Sequence, residues 1–370
     1  MRNVVACAIA VCLLSTLSSI AGEADPKRAV TDLSQVDADY HIQGEYSGII
    51  PFSDGLNRKV GLQVIALGHG KFDGLWYQGG LPGNGFDGTA RRKLNGVRID
   101  SKVELLCEGL VVELQAGTDA IVKSSAGRTL GSLRRKERHS VTEGAIPPAN
   151  AIVLFDGKNV DQWKNARITP DGLLQVGTET KMNVQNFTLH AEFRTPYMPY
   201  EQGQRRGNSG FYLQKRYEVQ VLDSFGREPQ FDYCAALYRQ KAPDLNMSFQ
   251  PLHWQTYDID FTAPKFDADG KRIAKGRITI RHNGVVVHCD REIENKTGAG
   301  DVEGPKPQPI LLQQHGDPVN FRNIWLVSHD SMPTTAPAAS SAVAATTGPC
   351  QVTSECCCVP RRACRHRRCR

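Results

Sequence analysis

The chain has 370 residues and a formal net charge of +6, enough length for two domains with buried cores. Residues 350–370 carry six arginines against the single acid Glu355, a net +5, so everything before them is close to neutral at +1. That excludes the basic footprint of a nucleic-acid-binding domain from the body of the protein.

In chain order, Met1-Arg2-Asn3, the apolar run Val4 to Leu14 and the small-residue end Ser18-Ser19-Ile20-Ala21-Gly22 describe a secretory signal peptide over residues 1–22. The run is too short for a transmembrane segment, and no cysteine follows the cleavage point to anchor a lipid. The expected location is therefore secreted or periplasmic. Residues 23–39 are polar and read as disordered.

A small all-β domain is expected over residues 40–146. Gly61 to Leu67, a Gly68-His69-Gly70 turn and Phe72 to Tyr77 form one hairpin, and Val103 to Leu106 with Leu110 to Leu114 form another. The five glycines between Gly79 and Gly88 are not followed by a helix, so they read as a long turn rather than a phosphate loop. Ile146-Pro147-Pro148-Ala149-Asn150 closes this unit, because prolines stiffen a linker and forbid ladder pairing.

A second β-rich domain follows over residues 150–328. Its candidate strands are residues 187–194, 210–214, 218–222, 254–261, 277–282, 285–289, 310–315 and 324–327. Arg281-His282-Asn283-Gly284-Val285 carries the Asn-Gly signal of a type I′ hairpin, which places His282 at an exposed turn. Many short strands separated by turns suggest a sandwich of two antiparallel sheets. Residues 331–349 are an Ala/Thr/Ser/Pro linker, and 350–370 a Cys/Arg-rich tail. Of eleven cysteines, only Cys107, Cys234 and Cys289 belong to the body, and they read as free thiols or one bridge at most. Three adjacent cysteines in the tail, Cys356 to Cys358, fit one tetrahedral zinc poorly.

The polar sides of the strands in the second domain carry the chemistry. In Tyr217-Glu218-Val219-Gln220-Val221-Leu222-Asp223, Val219 and Val221 point one way and Glu218 and Gln220 the other. Amides and carboxylates in fixed geometry suit hydroxyl-rich ligands. His190, Glu192 and Arg194 share the polar side of the strand 187–194, Asn208 stands at a strand entry, Gln313 and His315 follow in 310–315, and Arg322 opens the last strand. If these strands are neighbours, all converge on one face. Each also has a plain structural reading: Glu192 paired with Arg194, His315 capping a turn, Arg322 fixing a strand end, Asp258 and Asp260 solvated. There is no zinc-type spacing, no Gly-x-Ser-x-Gly elbow and no EF-hand loop.

Leu154-Phe155-Asp156-Gly157-Lys158 with Trp163, Glu192-Phe193-Arg194, Gly207-Asn208-Ser209-Gly210, Tyr217 to Asp223, Trp254-Gln255-Thr256-Tyr257, His282-Asn283-Gly284, and Leu312 to Pro318 with Phe321-Arg322-Asn323-Ile324 occur in that order. Together they resemble the 3-keto-disaccharide hydrolase domain family, with Gln314 standing where many relatives carry Asp. The resemblance implies a concanavalin-like jelly-roll β-sandwich, all-β like the domain before it, with sugar bound on its concave face. It further implies action on an oligosaccharide or glycoside already oxidised at C3 by a separate upstream dehydrogenase. A ketone at C3 acidifies the C2 proton, a base takes it, the aglycone leaves C1 by elimination, and water then adds. An ordinary glycosidase instead flanks the scissile bond with two carboxylates.

On this reading Glu192, Glu218 and His315 are the catalytic candidates, and Asn208, Gln220, Asp223, Gln313 and Arg322 the substrate-binding ones. No cofactor is demanded. A divalent metal bridging the 2-hydroxyl and the 3-keto oxygen would make chemical sense, with Glu192, Glu218 and His315 as ligands, but no spacing motif requires it. The competing class is a non-catalytic carbohydrate-binding module on the same sandwich, for which Tyr197, Tyr200 and Tyr212 would serve as platforms. A third, an adhesion protein, rests only on export and the tail.

Overall fold

The computed structural model describes residues 29–86, 88 and 90–330. The signal peptide, the linker and the Cys/Arg tail expected from the sequence lie outside the described residues. Among these residues the secondary structure is strand, apart from two short 3-10 turns.

Eight strands, β1 (Gly44–Pro51), β2 (Asn57–Ala66), β3 (Lys71–Gln78), β4 (Arg91–Ile99), β5 (Lys102–Cys107), β6 (Leu110–Gln115), β7 (Ala120–Ser124) and β8 (Thr129–Lys136), close into an antiparallel barrel. Closure comes from β1 against β8, with Tyr46 opposite Arg135, and it removes both sheet edges. Strict alternation fills the interior: Val60, Leu62 and Val64 from β2 meet Trp76, Leu94, Val103, Leu105, Val112 and Leu133. Both hairpins read from the sequence are present, as β2–β3 and β5–β6.

The remaining strands are β9 (Ile152–Phe155), β10 (Trp163–Lys164), β11 (Leu174–Gln175), β12 (Thr178–Thr180), β13 (Phe187–Arg194), β14 (Ser209–Leu213), β15 (Tyr217–Val221), β16 (Gln255–Thr262), β17 (Lys265–Phe266), β18 (Arg272–Ala274), β19 (Gly276–His282), β20 (Val285–Ile293), β21 (Leu311–Leu312) and β22 (Asn320–Ser328). A seven-stranded sheet runs β11-β22-β13-β16-β19-β20, with β9 also on β22, and a five-stranded sheet runs β10-β12-β21-β14-β15. The two pack face to face as the expected sandwich. Phe187, Leu189, Ala191 and Phe193 of β13 and Tyr217, Val219 and Val221 of β15 all enter one core. Phe211 of β14 crosses that core, its ring 5.3 Å from Phe321 and 5.9 Å from Tyr257 of the other sheet.

Barrel and sandwich are fastened together. Arg206 donates to the Ala66 carbonyl (3.1 Å), Arg227 pairs with Asp73 (2.6 Å), and Tyr40 donates to the Pro251 carbonyl (3.1 Å). The segment before the barrel, expected to be disordered, is ordered from residue 29. Val30 pairs with the Tyr197 backbone, and Asp39 is ion-paired with Arg98 at 2.7 Å. Polar composition there reflects side chains that bind specific partners, not a segment without any. His282 is also not the exposed turn residue the Asn-Gly signal suggested. It follows Ile278 and Ile280 on the inward side of β19, is fully buried, and bonds Gln255 at 2.9 Å. Burial without a charged partner pushes its pKa down to about 3, so it is neutral.

Candidate active site

The outer face of the five-stranded sheet carries most of the candidate residues. Tyr212 lies opposite Glu218, and Gly210 opposite Gln220, across the β14–β15 pair. This register is set by a three-residue connection, Gln214 to Arg216, in which Gln214 and Lys215 both take positive φ (51° and 50°). Two non-glycine residues in that region are strained, and each is held by outside contacts. Gln214 donates to the Val184 carbonyl (2.8 Å), Lys215 pairs with Glu179 (2.9 Å), and Arg216 donates to the Val302 carbonyl (3.0 Å). Because Tyr217, Val219 and Val221 must enter the core, Glu218 and Gln220 must face out.

Facing out does not leave Glu218 in water. Segment 297–300 closes over it: the Glu218 N–H donates to Thr297 Oγ1 (2.7 Å), and a Cβ on Gly298 would stand 3.6 Å from the Tyr212 oxygen. Glu218 is 2% exposed. Burial pushes its pKa up to about 7, against a lowering from the Tyr212 hydroxyl, which donates to Oε2 at 2.8 Å. A carboxyl poised near neutrality is what general acid–base chemistry requires.

Around Glu218 lie amides. Asn208 and Gln220 both give N–H bonds to Gln204 Oε1, at 3.2 and 2.9 Å, and Asn208 also donates to the Gln204 carbonyl. That fixes both amides and leaves Asn208 Oδ1 and Gln220 Oε1 buried without a partner among the described residues. Gln313 Oε1 is a third such oxygen, and its Nε2 points to the Tyr212 hydroxyl (3.5 Å). Each of these three oxygens calls for a donor from water or from a ligand, since burying an amide oxygen unbonded is costly. Sugar hydroxyls supply such donors. In the middle is Gly210, whose lack of a side chain is required: a Cβ there would come 2.6 Å from Glu218 Oε1.

Glu218, Asn208, Gln220 and Gln313 are thus together, as read from the sequence. Asp223 is nearby but committed, its carboxylate bonded to Arg206 Nε at 2.6 Å. His315 does not sit on a strand. β21 stops at Leu312, and His315 is exposed on the following loop beside Asp317, whose carboxylate accepts from the Asn208 N–H (2.7 Å).

Glu192 and Arg322 must be removed from this site. β13 and β22 belong to the other sheet, and with Ala191, Phe193 and Phe321 facing the core, Glu192 and Arg322 face its opposite outer surface. There Glu192 is wholly buried. Its oxygens accept from the Gly144 N–H (2.6 Å), Arg322 Nε (2.7 Å) and Asn323 Nδ2 (2.8 Å). Burial pushes its pKa up, but the neighbouring His190 (3.6 Å) and the bonds from Asn323, Gly144 and Arg322 outweigh that and bring it down to about 2. Arg322 also holds Glu143 (2.7 Å) and stacks on Trp254. Ser140 and Thr142 bond Thr256, and Thr142 bonds Asp258 (2.8 Å). The group is a clasp that straps the segment after the barrel onto the sandwich.

Sequence reasoning missed Gln204, Gly210 and Thr297 as parts of the site, and gave Tyr212 only as a platform. The alternation of Tyr212 with Phe211 carried the signal, but the closure by segment 297–300 had none. Among the described residues no three His, Cys, Asp or Glu side chains cluster as a metal site. The donors beside Glu218 are hard amide oxygens, which suit oxygen-seeking cations more than zinc.

Residues 150–327 match the family profile described as a 3-keto-alpha-glucoside-1,2-lyase-like domain. Among solved structures, a candidate glycosyl hydrolase from Parabacteroides distasonis ATCC 8503 at 2.13 Å is 33% identical, with 49% of this chain and 84% of that one covered and a TM-score of 0.45. A second candidate glycosyl hydrolase from the same organism, at 1.70 Å, is 19% identical over 49% of this chain and 94% of the other, with a TM-score of 0.36. No curated protein matches.

Proposed function

The chain belongs, through residues 150–327, to the 3-keto-alpha-glucoside-1,2-lyase-like domain family, and from that premise we propose that it is an exported enzyme cleaving 3-keto-glycosides by elimination followed by hydration. The observation that carries this reading is Glu218, a buried carboxyl with its pKa at about 7 on a sheet face ringed by unpartnered amide oxygens.

Glu218 in its ionised form takes the C2 proton, and the C–H pair becomes the enolate of the 3-ketone. Collapse of that enolate breaks the bond from C1 to the aglycone oxygen and leaves a C1–C2 double bond conjugated to the ketone. The departing oxygen needs a proton, and the one now on Glu218 is available for it. Water then adds across the double bond at C1, which completes a net hydrolysis. Asn208 Oδ1, Gln220 Oε1 and Gln313 Oε1 accept from ring hydroxyls and fix the sugar, so that C2–H meets the carboxylate. His315, two residues beyond Gln313, is a further proton source from the exposed loop. The leader-like residues 1–22 support export, and the substrate's ketone requires a dehydrogenase acting earlier on the same sugar.

The test is incubation of the purified chain with a 3-keto-glycoside in heavy water. Cleavage with deuterium at C2 of recovered substrate, or a primary isotope effect at C2, is expected. Equal cleavage of the unoxidised glycoside would overturn the mechanism, and binding without turnover of either would leave a carbohydrate-binding module.

A further inference from the structure

Between barrel and sandwich lies a cleft of about 460 Å³, within the range of small-molecule sites, which favour domain junctions. Its barrel wall includes Asp73, Lys93 and Asn95, and its sandwich wall Gln202, Arg227, Glu228, Gln230 and Tyr233. The four charges cancel in pairs, Arg227 with Asp73 (2.6 Å) and Lys93 with Glu228 (3.5 Å). That leaves the exposed amides of Asn95, Gln202 and Gln230 as hydrogen-bonding groups and Tyr233 as an aromatic ring. An anion or a cation would find its counter-charge already taken. A neutral, hydroxyl-rich ligand finds both donors and acceptors.

A smaller recess shares Ile65, Gln202, Gly203, Arg227 and Tyr233 with the cleft and continues to Arg206 and Asp223. Arg206 is 4% exposed, and its Nη2 has no acceptor among the described residues. Its other nitrogens are committed to Asp223 and the Ala66 carbonyl. This recess holds about 20 Å³, room for a single water that can accept from the guanidinium and bridge it toward the cleft.

The cleft is also tied to Glu218's surroundings. Gln204, which orients Asn208 and Gln220, follows directly on Gln202 and Gly203, and its Nε2 donates to the Asp232 carbonyl (2.7 Å), between Gln230 and Tyr233. The same two loops therefore hold the amides on the sheet face and line the cleft.

We propose that the cleft between barrel and sandwich is a second sugar-binding subsite, which takes the distal part of a neutral oligosaccharide glycoside whose reacting ring lies at Glu218. The barrel is then a determinant of substrate length. The claim deepens the proposed function and rests on it for the identity of the reacting ring, but the cleft's affinity for neutral sugar is measurable without turnover.

The test uses the full chain and two variants at exposed positions, the double Asn95→Ala/Gln230→Ala and the cleft-filling Asn95→Trp, each checked for a wild-type thermal melt. Calorimetry with unoxidised malto- and cello-tetraose should show binding by the wild type of at least one of them, weakened about tenfold or more in both variants. In kinetics, the ratio of kcat/KM on a 3-keto-trisaccharide to that on a methyl 3-keto-glycoside should fall about tenfold. Binding that is lost in the variants, with no turnover of any 3-keto-glycoside, would support the subsite while rejecting the proposed chemistry. Turnover with an unchanged ratio, or no binding of either tetraose by the wild type, would overturn the subsite.

Discussion

Glu192 and Glu218 point away from each other across the full thickness of the sandwich. Glu192 leaves the outer face of the seven-stranded sheet, Glu218 the outer face of the five-stranded one, and the core fed by Ala191, Phe193, Val219 and Val221 lies between. Their environments diverge accordingly. Three hydrogen-bond donors and the neighbouring His190 gather on Glu192 and draw its pKa to about 2, whereas burial, opposed by a single Tyr212 hydroxyl, raises Glu218 to about 7. One carboxyl is held charged across the neutral range and the other is placed to exchange a proton there, which favours Glu218 over Glu192 as the acid–base candidate.

Replacing Glu218 with Gln should lower kcat/KM on a 3-keto-glycoside by about 10²–10⁴. In the wild type, kcat/KM should rise with pH through about 7, because the base form comes to predominate above that value. Stability should move the other way. A folded pKa raised from 4.5 to about 7 makes a contribution that is complete below 4.5 and is lost as pH climbs through 7. Urea melts between these pH values would show the decline in the wild type and its absence in the Gln variant. An activity profile flat across neutrality would reject Glu218 as the base.

Tyr212→Phe removes the hydroxyl that donates to Glu218 Oε2, a bond that lowers the carboxyl pKa. The ascending limb of the pH–activity profile should therefore shift to higher pH, by about one unit for a single lost bond. A shift to lower pH would contradict the geometry.

Gly210→Ala should impair catalysis with little change in the melt. The added methyl would sit 2.6 Å from Glu218 Oε1 and 3.0 Å from its Cγ, so the carboxyl must move. Displacement of a reacting group by such an amount should reduce kcat by about tenfold or more. Steady-state kinetics alongside calorimetry separates this from unfolding.

Glu192→Gln should do the reverse. It removes one of the two carboxylates paired with Arg322, Glu143 remaining, and leaves fewer acceptors for the Gly144 and Asn323 N–H groups, so it should lower stability by about 1–3 kcal/mol in denaturant titration, with kcat/KM within about threefold of wild type because Glu192 lies across the sandwich from Glu218. With its folded pKa depressed from 4.5 to about 2, Glu192 contributes stability above 4.5 that is lost as pH falls toward 2. The variant's acid melt should therefore be shallower over that window. A hundredfold loss of activity with an unchanged melt would return Glu192 to the active site.

By itself the sequence determined the class and the pieces. Period-two alternation marked the strands, their apolar sides fixed which residues enter the core, and the β14–β15 segment put Glu218, Gln220 and Asn208 on one polar side, because neighbours in a short hairpin must share a face. It could not say which outer surface a polar side would meet. A sandwich has two, and β13 shows the same in-and-out pattern as β15 although it lies in the other sheet. That choice depends on pairings across long separations, such as Glu192 opposite Arg322, which leave no trace in local periodicity. Nor could alternation tell an outward residue in water from one roofed over. Segment 297–300 makes Glu218 a buried acid near neutrality, and the strap from Ser140 to Ala145 makes Glu192 a structural anion, and both coverings are decisions of the tertiary fold.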